Sequence, residues 1–122
     1  MYKVESNSQK NRLYITLEDL ETEDIKPILT DLDTCIAKLK PGFTCLVDIR
    51  KMKFDPKKKG SEYVEIIQGA LSDLGMGDVV RVVNQKDADH YLRMDEQSIS
   101  LGYKAKPAYS IEEAENILDN QA

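Results

Sequence analysis

Phe43-Thr44-Cys45-Leu46-Val47-Asp48-Ile49 is the stretch on which the fold turns. It is apolar almost without a break, and only Thr44 and Asp48 interrupt it. A strand buried on both faces reads this way, and such strands belong to parallel sheets covered by helices. Downstream, Val79-Val80-Arg81-Val82-Val83 repeats the pattern and predicts a second buried strand. The apolar residues between the two runs change period. Tyr63, Ile66, Ile67, Ala70, Leu71 and Leu74 recur at helical spacing, with Ser61 near the N-cap and Gly75 or Gly77 at the end.

Upstream of the central run lies another helical pattern, Ile25, Ile28, Leu29, Leu32, Cys35, Ile36 and Leu39. Glu21, Glu23 and Asp24 place negative charge where the helix dipole favours it. Pro27 must fall in the first turn, which predicts a start near Asp24 with Thr22 or Asp24 as cap. Pro41-Gly42 closes the segment. Before this helix, Tyr2 and Val4 alternate with Lys3 and Glu5, and Leu13, Ile15 and Leu17 alternate with Tyr14 and Thr16. The polar residues 6–11 between them read as the turn of a hairpin.

After the second buried strand, residues 87–102 form a less regular helical pattern through Ala88, Tyr91, Leu92 and Ile99. Residues 105–109 predict an edge strand, because Pro107 has no N–H to give a central ladder. Ser110-Ile111-Glu112-Glu113 is a capping box that opens a last helix through Ala114, Ile117 and Leu118. The predicted order is ββαβαβαβα. It describes an α/β domain with a mixed, mostly parallel sheet, an antiparallel N-terminal hairpin and about four helices.

The 122 residues suit a single domain spanning 1–122. The hydrophobic fraction of 41% is too high for a disordered chain. No apolar window reaches the ~18 residues of a membrane span, and Met1 to Glu5 lacks a signal-peptide core, so the expected compartment is the cytoplasm. Cys35 and Cys45 make no metal-ligand spacing and read as small apolar residues, with a bridge between them the open alternative.

The net charge of −5 argues against wholesale nucleic-acid binding. It conceals a local inversion. Residues 50–60 (R-K-M-K-F-D-P-K-K-K-G) hold six basic side chains against one acid, a local charge of +5, so the other 111 residues carry −10.

The element order and three stretches resemble the STAS domain, the fold of anti-sigma-factor antagonists and of sulphate-transporter tails. Phe43-Thr44-Cys45-Leu46-Val47-Asp48 is similar to that family's central strand, and Val79-Val80-Arg81-Val82-Val83-Asn84 to its next one. Ala108-Tyr109-Ser110-Ile111-Glu112-Glu113-Ala114 is similar to its closing segment. The antagonists begin their second helix with Asp-Ser-Ser-Gly, whose serine a partner kinase phosphorylates. Here that stretch is Phe54-Asp55-Pro56-Lys57-Lys58-Lys59-Gly60-Ser61, without the motif, which puts the phospho-switch in doubt. The chain looks closer to SpoIIAA-like proteins that lack the serine motif. The resemblance implies a non-enzymatic regulatory or protein-interaction module.

Arg50, Lys57, Lys58, Lys59 and Ser61 fall beyond the carboxyl end of the central strand, where open α/β sheets bind ligands, and they lead into a helix N-terminus. An acidic protein partner or a small anionic or lipid-like ligand would bind there; the plain alternative is a solvated lysine loop. Ser61 is a candidate phosphosite, and an N-cap has the same signature. Asp48, an acid ending an apolar strand, joins the candidate site or caps the following loop. His90 has no evident nucleophile beside it, and no catalytic pair, metal cluster or cofactor motif emerges. The hairpin edge also offers a route to a homodimer.

Overall fold

The structure, a computed structural model, describes residues 2–18, 21–51, 60–84 and 105–120. Five strands are β1 (Tyr2–Asn7), β2 (Arg12–Leu17), β3 (Thr44–Asp48), β4 (Val79–Val82) and β5 (Ala105–Ala108). Three helices lie among the described residues: α1 (Thr22–Ile36), α2 (Gly60–Asp73) and α3 (Ile111–Asp119). The helix predicted over 87–102, and His90 with it, falls outside the described residues.

The strands form one mixed sheet in the order β1-β2-β3-β4-β5. The hairpin pair β1–β2 is antiparallel, with Val4 opposite Ile15, and every other pair is parallel. β5 occupies an edge, with Pro107 opposite Arg81, as a proline without an N–H requires.

Strand alternation sorts the core into two layers. Leu13, Ile15, Leu17, Cys45, Val47, Ile49 and Val79 pack under Ile28 and Leu32 of α1 and Ile67 and Leu71 of α2. The opposite parity, Leu46, Val80, Val82 and Ala108, meets Ala114 and Leu118 of α3. The continuous apolar runs of β3 and β4 therefore reflect helices on both faces.

α1 begins two residues before the expected Asp24. Glu21 is its N-cap, and Asp24 accepts a hydrogen bond from the Glu21 backbone N–H at 2.9 Å. Asp24 thus serves the cap from the third helical position. The earlier start puts Pro27 at the sixth helical position rather than in the first turn, where its missing N–H leaves the Glu23 carbonyl without its helical donor. The helix also stops earlier than Pro41-Gly42, at Ile36, and Leu39 reaches the core from the turn that follows.

Gly75 and Gly77 divide the work of ending α2. Gly75, at φ +98°, makes a Schellman close, with Met76 N–H donating to Leu71 O and Gly75 N–H to Ser72 O. Gly77 lies against the turn before β3, where its N–H donates to Phe43 O at 2.7 Å. A Cβ there would sit 2.7 Å from Gly42 O. This close approach locks the starts of the two central strands together.

Candidate functional site

Asp48 and Arg50 stand at the carboxyl edge of the sheet, and the structure joins them. Arg50 donates through its backbone N–H and Nε to Asp48 Oδ1, at 3.1 and 3.0 Å, and through Nη2 to Oδ2 at 2.9 Å. These bonds hold the guanidinium above its ordinary pKa range. Asn84, just beyond β4, donates from Nδ2 to Arg50 O at 2.6 Å and fixes the turn. Lys51 pairs with Glu18 at 3.6 Å. An incoming anion would therefore meet an Arg50 charge already offset by Asp48. Lys57, Lys58 and Lys59 lie outside the described residues, and Ser61 is the second residue of α2.

A second polar cluster stands at the opposite edge of the sheet. Arg12, 3% exposed, donates from Nε to Thr44 Oγ1 at 3.0 Å, from Nη1 to Glu115 Oε1 at 2.9 Å, and from Nη2 to Asp119 Oδ1 at 2.9 Å. Tyr14 Oη donates to Glu115 Oε1 at 2.8 Å, and Lys10 Nζ reaches Oε2 at 3.2 Å. Burial raises the Glu115 pKa, but the bonds from Tyr14, Arg12 and Lys10 outweigh it and hold the carboxyl below the usual range. The cluster bolts α3 to β2, and a cleft of about 350 Å³ opens beside it. Its charged groups are committed to one another, so it reads first as a structural clamp.

The third feature is apolar. α2 turns Ile67 and Leu71 into the core, while Ile66 is 49% exposed and Leu74, directly after the helix, 41% exposed. Ala70 links them at four-residue spacing, so α2 carries a second apolar stripe beside its buried one. Between this stripe and α1 runs an open groove of about 280 Å³ lined by Leu29, Leu32, Asp33, Ala70, Asp73 and Leu74.

Cys35 and Cys45 are free thiols, and burial pushes the Cys45 thiol well up, away from nucleophilic use. Among the described residues, no three His, Cys, Asp or Glu side chains gather as a metal site, and no helix is long and apolar enough to cross a membrane.

Sequence reading missed two buried arginines. Arg12 stands at the polar start of β2, and its carboxylate partners lie more than 100 positions away. Arg81 is fully buried, with the strand parity of Val79 and Val83, and engages in a polar or charge interaction. Its signal was visible: a lone charge centred in V-V-R-V-V must be buried with a partner.

The fold and these sites define a small mixed-sheet α/β protein with helices on both faces. Compared with protein-family models, curated proteins and solved structures, the chain matches none.

Proposed function

We propose that the chain is a non-enzymatic, cytoplasmic regulatory or protein-interaction module of the STAS-like kind, and that it engages a protein partner through α2. The observation that carries this reading is the stripe Ile66, Ala70 and Leu74, apolar and in large part exposed, on a helix already anchored by Ile67 and Leu71. A helix needs only one apolar stripe to fold onto a sheet. The second leaves two large aliphatic side chains in water, each forgoing on the order of 1 kcal/mol of burial that a partner would supply.

The competing reading is a carrier for an anionic or lipid-like molecule. Charge counts against an anionic ligand in the α1–α2 groove, which is open and carries exposed Asp33 and Asp73 on its two walls. Electrostatics counts against it at Arg50, whose charge Asp48 offsets.

Affinity capture from native cells tests the proposal. Ile66→Asp and Leu74→Asp should abolish recovery of the partner, whereas reversing Lys57, Lys58 and Lys59 to Glu should leave it. The opposite pattern would move the interface to the basic loop.

A further inference from the structure

The groove between α1 and α2 has a sign as well as a shape, and from that we infer the chemistry of its occupant: a partner's amphipathic helix that is apolar on one face and rich in Lys and Arg around it. The inference rests on the proposed role of α2 and adds the partner's class.

Three observations carry it. The floor and walls are aliphatic, with Leu32 buried, Leu29 and Ala70 half-buried and Leu74 exposed, which suits one or two large apolar anchors. Among the described residues, the charged ones lining the groove are Asp33 from α1 and Asp73 from α2, both exposed, one on each helix. Neither takes part in any side-chain hydrogen bond or ion pair among the described residues. Two acids facing one groove, with no cation paired to them among the described residues, repel each other and any acidic visitor, and attract a basic one.

Geometry limits the occupant further. The groove runs from Leu29 to Asp33 on one helix and from Ala70 to Leu74 on the other, a little over one turn of each. That length takes side chains four residues apart on a helix, the usual anchor spacing of helix-in-groove recognition. An extended strand has no unpaired sheet edge to join here, because both walls are helices whose backbone bonds are internal. Ile66, one turn before Ala70, lengthens the apolar track on the α2 side.

The test uses the full chain, isotope-labelled, and two synthetic amphipathic helices. Both carry the same leucines at four-residue spacing; one has Lys on its polar face and the other Glu. The Lys peptide should shift the amide signals of Leu29, Asp33, Ala70 and Leu74 and bind at least tenfold more tightly than the Glu peptide at low salt. The preference should shrink at high salt, as rim electrostatics does. Asp33→Lys combined with Asp73→Lys should reverse it, and both are exposed surface changes that leave the buried core intact. If the Glu peptide binds the same residues equally or better, the charge inference is overturned while the role of α2 stands. If neither peptide moves these signals at millimolar concentration, the docking role of the groove fails with it. Shifts confined to the cleft beside Arg12, or to the surroundings of Arg50, overturn the location.

Discussion

Replacing Arg12 by Met keeps the aliphatic stem and removes the guanidinium that ties β2 to α3. The wild-type guanidinium donates one bond to a neutral acceptor, the Thr44 hydroxyl, and two to charged ones, Glu115 and Asp119. A bond to a neutral acceptor is taken at the low end, about 1 kcal/mol, and one to a carboxylate at about 1.5–3 kcal/mol. The charged pair must be discounted, because the Glu115 and Asp119 side chains are 25% and 49% exposed and water will resolvate them. Glu115 also keeps Tyr14 and Lys10. The expected loss is therefore about 2–3 kcal/mol, or roughly 10 °C in Tm for a domain of this size.

The pH dependence follows from Glu115. Its folded pKa lies below the ordinary carboxylate value, so its stabilisation is complete above about pH 4.3 and is lost as pH falls through the depressed value. The gap between wild type and Arg12→Met should therefore be full at pH 7 and narrow below about pH 4. Urea unfolding followed by circular dichroism across that range measures it. A gap under about 0.5 kcal/mol at pH 7, or one unchanged at pH 2.5, would refute the clamp.

Two glycines of the same helical region should respond with opposite signs. Gly77→Ala drives a Cβ into the Gly42 carbonyl, a backbone atom that cannot step aside, and should cost about 1–3 kcal/mol. Gly69→Ala meets nothing within 4 Å inside α2 and should stabilise by about 0.5–1 kcal/mol. Thermal melts of the two variants check both, and equal signs would contradict the packing described. A thiol reagent should modify half-buried Cys35 in the native state and reach Cys45 only at the rate of unfolding; prompt labelling of both would place Cys45 outside the core.

Much of the architecture was legible from period and punctuation. The unbroken runs at β3 and β4 announced helices on both faces, Pro107 announced an edge, and Ser110 with Glu113 announced α3, where the Ser110 side chain accepts from Glu113 N–H at 3.1 Å. The start of α1 was less legible, because Thr22 and Asp24 are favoured caps and Glu21 is not, yet Glu21 takes the N-cap with Asp24 bonding back to its N–H. The site was less legible for a different reason. Asp48 was legible as a cap of the following loop, and it accepts the Arg50 backbone N–H; that the Arg50 guanidinium folds back onto the same carboxylate was not. Ile66 and Ile67 look alike in a periodic pattern, yet the roughly 100° between neighbouring helical residues puts the first in water and the second in the core. Which of two adjacent apolar stripes faces inward depends on how the helix is rotated against the sheet, and that is set by packing with α1. The clamp around Arg12 joins residues about 100 positions apart, beyond any local pattern.

The central claim is that the outer stripe of α2 is where this protein meets its partner. A photoreactive amino acid placed at Leu74 in the native cell, with the same group at exposed Asn116 on α3 as control, tests it directly. The account predicts a discrete, light-dependent covalent adduct with one protein from Leu74 and none from Asn116. No adduct from Leu74, or the same adduct from both positions, would contradict it.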